Sequence, residues 1–236
     1  MPKLSTIGFD ADDTLWHNER FFRLTQDRFA ALLRDYTEPD HLMERLLAAE
    51  TRNIRHYGFG IKGFVLSMIE TALDVTEDRV PPSVIRALID AGQDMLQHPI
   101  ELLPHAAEAV SAAAATHRVL LITKGDLIDQ ERKLAQSGLG EMFHGVEIVS
   151  HKTRTTYEDI FARHGDGAPR GMMIGNSMKS DVVPMVQAGG WGVHVPHGLE
   201  WEIERADPPA DAPRFITLPD LGALPDLIAR IKDDPA

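Results

Sequence analysis

Cysteine is absent from all 236 residues, which excludes disulfides, thiolate metal sites and a cysteine nucleophile. Basic residues are also scarce. Lys and Arg number 24 against 36 Asp and Glu, a formal net charge of −12. That field repels nucleic acid and anionic membrane surfaces, so neither is an expected partner. A small anion can still bind where a few basic groups and helix N-termini converge. Long apolar runs are missing as well: no segment approaches the roughly 20 consecutive apolar residues that span a bilayer. The opening Met1-Pro2-Lys3-Leu4-Ser5 leads into a short apolar run, without the long apolar stretch and small-residue cleavage site of a signal peptide. A cytoplasmic location is therefore expected. There is no internal repeat, and the only compositional bias is a short alanine run, Ala112 to Ala115, which suits a helix.

Enough apolar material remains for a sizeable core, since 43% of residues are hydrophobic and 25% charged. Its pattern changes along the chain. Ile7-Gly8-Phe9 stops at Asp10 and reads as a short buried strand. From about Glu19 to His98 the spacing is helical. Phe22, Phe29, Leu32, Leu33 and Tyr36 form one stripe, and Leu42, Met43, Leu46 and Leu47 another. A third runs through Phe64, Val65, Met68, Ile69 and Leu73. The fourth, Val84 to Leu96, begins after Pro81-Pro82-Ser83, a helix-start signal. After Pro104 short apolar runs alternate with helical stretches: Val119–Ile122, Val146–Val149, Gly171–Ile174 and Val193–Val195, with a last strand at Phe215-Ile216. That alternation predicts an α/β fold with a parallel sheet. The expected organisation is an α/β core from residues 1–18 and 99–236, interrupted by a helical domain at 19–98.

In open parallel sheets ligands bind beyond the carboxyl ends of the strands. The polar residues that follow each apolar run are therefore the candidates. They are Asp10-Ala11-Asp12-Asp13-Thr14, then Thr123-Lys124-Gly125, then Ser150-His151-Lys152, and finally Gly175-Asn176-Ser177 with Asp181. A carboxylate pair, a hydroxyl, a lysine and a further carboxylate on one rim suit a divalent metal and a phosphate together, because Mg²⁺ prefers carboxylates plus substrate oxygens.

At these positions the sequence resembles the haloacid dehalogenase-like superfamily, in four places and in family order. Asp10-x-Asp12-x-Thr14-Leu15 is similar to its first motif and Leu121-Ile122-Thr123 to its second. Lys152 matches the third, and Gly175-Asn176-Ser177 through Asp181 the fourth, with Leu139-Gly140-Glu141-Met142-Phe143 before the third. The resemblance implies a three-layer Rossmann-like core whose helical insertion is a type-1 cap. It implies an Mg²⁺-dependent phosphatase acting on a small phosphorylated metabolite. Asp10 would be the nucleophile and Asp12 the general acid and base. Thr123 and Lys152 would hold the phosphoryl oxygens, while Asp10, Asp181 and the Asp12 carbonyl ligate the metal.

Two residues depart from the family pattern. Asn176 stands where an acid is usual, which leaves the metal site one charge poorer. Lys124 replaces the common Asn or Asp, as a second cation near the phosphate or as a surface lysine with only its amide in play. His17, Arg55, His56 and Lys62 are candidate substrate-selecting residues, the last three in a Gly- and cation-rich segment, 52–63, placed between two cap helices. Trp16 reads as packing. The same residues also serve a phosphomutase, while a haloacid dehalogenase would need neither Asp12 nor a metal. A phospho-accepting binding or signalling module is the non-catalytic alternative. A monomer and a homodimer are both compatible with the cap faces.

Overall fold

The computed structural model describes residues 3–199 and 201–233. The chain divides into two compact units. One comprises Met1–Glu19, Ile100–Lys124 and Gln130–Ala236; the other comprises Arg20–Pro99 with Gly125–Asp129. The second unit thus includes a short stretch, Gly125–Asp129, that chain order alone assigns to the α/β part.

The first unit is built on a six-stranded sheet in the order β3-β2-β1-β4-β5-β6. Its strands are β1 (Thr6–Phe9), β2 (Arg118–Lys124), β3 (Gly145–Val149), β4 (Gly171–Gly175), β5 (Trp191–His194) and β6 (Phe215–Thr217). Every neighbouring pair is parallel. A parallel sheet is covered on both faces, so its strands read as unbroken apolar runs rather than alternating ones.

The alternation of side chains sorts the core into two layers. Ile7, Phe9, Val119, Leu121, Met172 and Ile174 share one cluster with residues of α5 (Ala106–Ala114) and α9 (Leu224–Asp233). Leu120, Ile122 and Met173 join a second cluster with Tyr157, Ile160 and Phe161 of α7 (Arg154–His164) and Met185 of α8 (Val183–Gln187). Each fully buried large side chain contributes about 1.5–3 kcal/mol. Gly8 is required by this second layer. A Cβ there would lie 2.8 Å from Ile122 Cδ1 and 3.3 Å from Phe161 Cζ.

The second unit contains α1 (Glu19–Leu33) from Arg20 onward, α2 (Pro39–Tyr57), α3 (Ile61–Val75) and α4 (Pro82–Gln97). Its core joins Phe29, Leu33, Leu42, Leu46, Phe64, Met68 and Leu88, which come from all four expected stripes. Close packing of α3 on α4 depends on Gly92, where a Cβ would meet Val65 Cγ2 at 2.4 Å. The segment 52–63 differs from its expected form. Residues 52–57 continue α2, because nothing breaks the helix before Gly58 at φ 72. Only residues 58–60 connect it to α3.

Candidate active site

Strand order reverses at β1, whose neighbours β2 and β4 lead away in opposite directions. Phe9 is in register with both Leu121 and Ile174, so the residues after the three strands emerge along one rim. The Asp10 N–H extends the ladder by donating to Ile174 O at 2.8 Å.

On this rim Lys152, from the loop after β3, joins two carboxylates. Its Nζ donates to Asp10 Oδ1 at 2.5 Å and to Asp181 Oδ1 at 2.7 Å. Asp181 sits on a single π-turn, Met178–Val182, and its Oδ2 accepts from the Ser177 N–H at 2.9 Å. Gly175 makes this fold-back possible, since a Cβ there would fall 2.1 Å from Asp181 Oδ2. Thr14 Oγ1 lies 3.2 Å from Asp10 Oδ2 and 3.3 Å from Asn176 Oδ1, and accepts from the Asn176 N–H at 3.1 Å. One lysine does not balance two buried carboxylates. Burial, then the charge of Asp181, push the Asp10 pKa up to about 7 despite Lys152. Burial alone would lower Lys152, but the charges of Asp10 and Asp181 outweigh it and hold the ammonium well above the ordinary lysine range.

Asp12 is surrounded differently. Trp16 Nε1 donates to its Oδ1 at 2.8 Å and Gln130 Nε2 to its Oδ2 at 2.8 Å. Lys133 Nζ spans both oxygens at 2.9 and 3.1 Å, and also reaches Asn18 Oδ1 at 2.9 Å. Burial would raise this carboxyl, yet Lys133 and the Gln130 and Trp16 hydrogen bonds hold it below the usual carboxylate range. The next residue, Asp13, takes a left-handed backbone at φ 58. Its carboxylate accepts from the N–H groups of Asn18 and Glu19 at about 3 Å and lies 3.6 Å from His197 Nδ1. Burial pushes Asp13 up to about 6.

Among the described residues no group of three or more His, Asp or Glu side chains gathers as a metal site. The donor set at Asp10 and Asp181 nevertheless fits a hard divalent cation. Two buried carboxylates share one ammonium, which leaves a net negative charge for a cation to offset.

The structure thus brings Asp10, Lys152, Asp181, Asn176 and Thr14 together in one hydrogen-bonded group, with Asp12 beside Asp10 in the chain. Thr123 is buried at the end of β2, with its hydroxyl 3.3 Å from the Lys124 carbonyl. Lys124 is only 13% exposed, so it is not a surface lysine. It is the last residue of β2, and its ammonium donates to Glu204 Oε1 at 2.6 Å and Ser180 Oγ at 2.7 Å. His17 stacks edge-on against His197, with ring centroids 5.9 Å apart. Arg55 and His56 lie exposed on the last turn of α2. Lys62 is paired with Asp126 at 2.8 Å.

Sequence reading missed Gln130, Lys133 and Glu204. Gln130 and Lys133 are three apart on α6 (Leu127–Ser137) and share a helix face, but the sequence does not show which face meets the rim. Trp16 is fully buried, as packing predicts, and also uses its indole N–H on Asp12.

A family model described as haloacid dehalogenase-like hydrolase matches residues 4–189. Among solved structures, a haloacid dehalogenase-like family hydrolase from Xanthomonas campestris is 40% identical, covers 97% of this chain and 92% of its own, and superposes with a TM-score of 0.87. YfnB from Bacillus subtilis, described as a HAD-hydrolase and solved with magnesium bound, is 14% identical over 96% of this chain and 99% of its own, with a TM-score of 0.67. L-2-haloacid dehalogenase from Xanthobacter autotrophicus, with chloropropionic acid covalently bound, is 18% identical over 96% of this chain and 98% of its own, with a TM-score of 0.63. The last two share the fold alone. No curated protein matches the chain. The match over most of the α/β core, and the close relative spanning nearly the whole chain, place it in a defined group: it belongs to the haloacid dehalogenase-like hydrolases.

Proposed function

We propose that the protein is a magnesium-dependent phosphatase of small phosphate monoesters. The observation that carries this reading is Asp12. A halide leaves as an anion and needs no proton, so the displacement step of a dehalogenase has no use for an acid beside the nucleophile. An alcohol leaving group does need a proton, and the attacking water must lose one. Here a second carboxylate is present, only partly exposed, and held on both oxygens by Trp16, Gln130 and Lys133.

In the proposed reaction an Asp10 carboxylate oxygen attacks phosphorus, and the phosphorus–alcohol bond breaks as the alcohol oxygen takes a proton from Asp12. Water then attacks phosphorus, the bond to Asp10 breaks, and the water proton returns to Asp12. The two steps together replace one difficult displacement by two easier ones. Because Lys133 holds Asp12 low, the base half is favoured, and leaving groups that need little protonation should react best. Lys152 orients Asp10 and offsets its repulsion from the phosphoryl oxygens, with the Thr123 hydroxyl as a further donor. Mg²⁺ would be held by Asp10, Asp181 and the Asp12 carbonyl, with Asn176 reached through water, and it supplies counter-charge for an anionic nucleophile meeting an anionic phosphate. Exposed Arg55 and His56 are proposed to influence which ester is preferred. Among the described residues no helix is long and apolar enough to cross a membrane.

The test measures phosphate release from an aryl phosphate with and without Mg²⁺, beside chloride release from 2-chloropropionate. Mg²⁺-dependent phosphate release without chloride is the expected result. Chloride release without phosphate release overturns the proposal.

A further inference from the structure

Glu204 lies beyond the stretch matched by the family model, which ends at residue 189. It closes a short 3-10 turn, Glu202–Glu204, that follows Trp201. Its carboxylate nonetheless reaches two motifs at once. Oε1 accepts from Lys124 Nζ, at the end of β2, at 2.6 Å. Oε2 accepts from Ser177 Oγ at 2.7 Å and from Ser180 Oγ at 2.5 Å. Lys124 closes the ring by donating to Ser180 Oγ at 2.7 Å. The side chains of the ion pair are only 13% and 15% exposed, so solvent screens the pair weakly. Burial would raise the Glu204 carboxyl, but Lys124 and the two serines bring it down to about 2.

The two serines flank the turn that carries Asp181. Ser177 Oγ accepts from the Ser180 N–H at 3.0 Å, and the Ser177 N–H fixes Asp181 Oδ2 at 2.9 Å. A π-turn is a rare and locally under-determined backbone, which persists where surrounding contacts impose it. Here the contacts come from outside the motif. Lys179 Nζ adds a bond to the Ile203 carbonyl at 2.8 Å, and Tyr157 OH donates to the Ser180 carbonyl at 2.9 Å.

We propose that Glu204 is a positioning residue for the reaction, holding the 177–182 turn so that Asp181 stays seated on Lys152. This rests on the phosphatase reading for its rate effect, but not for its structural effect. A displacement of about 1 Å at a positioned group costs up to 10²-fold in rate, and Asp181 is two bonds removed from Glu204, so a tenfold effect is the scale.

The experiment compares the parent protein with Glu204→Gln and Glu204→Ala in three measurements: Mg²⁺ binding by titration calorimetry, kcat and KM on an aryl phosphate, and amide hydrogen exchange across residues 176–182. For Glu204→Ala the expected results are Mg²⁺ affinity about tenfold weaker, kcat about tenfold lower at little-changed KM, and faster exchange confined to 176–182. Glu204→Gln keeps the shape and part of the hydrogen bonding, and falls between. It also decides the matter by the same measurements if the alanine variant does not fold. Parent-like Mg²⁺ affinity together with parent-like exchange in 176–182 overturns the proposal. If the parent binds Mg²⁺ but hydrolyses no ester, the phosphatase reading fails, and Glu204 is still judged by affinity and exchange. If the parent binds no Mg²⁺, exchange alone judges it.

Discussion

Asp10 and Asp12 are separated by a single residue, yet they sit in opposite electrical surroundings. On the Asp10 side two buried carboxylates compete for Lys152, and the Asp10 carboxyl is pushed up to about 7 by burial and by Asp181. On the Asp12 side one carboxylate receives Lys133 and two neutral donors, and is held below its usual range. One half of the rim is short of positive charge and the other is well supplied. The difference says where a cation is wanted and which carboxylate stays ionised without one.

The largest effect should come from breaking the charge-poor half at its centre. Asp10→Asn keeps the shape and an acceptor for Lys152 but cannot form the acyl-phosphate bond. Turnover should fall by at least about 10⁴-fold. Mass spectrometry is needed alongside, because slow deamidation would restore the parent residue. An active, intact asparagine variant would remove Asp10 from the nucleophile role.

The charge-rich half can be weakened in two ways. Asp12→Asn should cost roughly 10²–10⁴ in rate, with phosphoenzyme accumulating on an aryl substrate after rapid acid quench. Lys133→Met leaves Asp12 with only neutral donors. Lys133 is 7% exposed and Asp12 23%, so losing the pair should destabilise the fold by about 3 kcal/mol, the low end for a buried pair. Among folded molecules, the lysine variant should lose less rate on an alkyl phosphate than on an aryl phosphate, because without Lys133 the Asp12 carboxyl rises and is more often protonated, which favours the poor leaving group. Equal losses on both substrates would mean that Lys133 acts only through stability.

The same contrast predicts a pH dependence of stability without metal. Asp10 titrates near 3.8 when unfolded and near 7 when folded. Between those values the folded state binds more protons, so this group makes stability fall as pH rises, with no further change above about 7. Coupling to Lys152 and Asp181 keeps the total to a few kcal/mol at most. Thermal melts without metal should therefore show Asp10→Asn more stable than the parent at pH 8 and nearly equal to it at pH 4. Mg²⁺ should stabilise the parent most at the alkaline end, where Asp10 is ionised. Parallel melting curves for the two proteins across this range would contradict the charge shortage.

Much of this was legible in sequence, and the exceptions have physical causes. Short apolar runs ending in polar residues located β1, β2 and β4 and so brought out Asp10, Thr123 and the Gly175 turn, because a strand's end is marked in its own residues. The burial of Lys124 is not marked in the strand's own residues, because β2 runs one residue further than its apolar core and the partner of Lys124, Glu204, is 80 positions away. Gln130 and Lys133 were hidden for a related reason. A helix pattern gives a face, not the direction in which that face points within the fold. The segment 52–63 misled in the other direction, since Gly58 and Gly60 drew attention from the helix-forming residues before them.

The smallest predicted effect sharpens the comparison instead of breaking it. Asn176 lies on the charge-poor half, hydrogen-bonded to Thr14 Oγ1, the same hydroxyl that lies 3.2 Å from Asp10 Oδ2. Asn176→Asp adds a third negative charge where one lysine already serves two. A unit charge about 5 Å from a divalent ion is worth roughly 1.7 kcal/mol at the dielectric of water and about 6.6 kcal/mol at an effective value of 20. The low end applies if the residue meets the ion through water. Part of the gain is also relief of repulsion that the substitution itself creates in the metal-free protein. Apparent Mg²⁺ affinity should then tighten by about tenfold, or about 1.4 kcal/mol, while maximal turnover changes less. The metal-free variant should also melt below the parent at pH 8, because the added charge deepens the shortage. Titrating both activity and melting temperature against Mg²⁺ separates these contributions. An unchanged or weaker half-saturation point would place residue 176 beyond the metal's water shell, and would confine the shortage to Asp10 and Asp181.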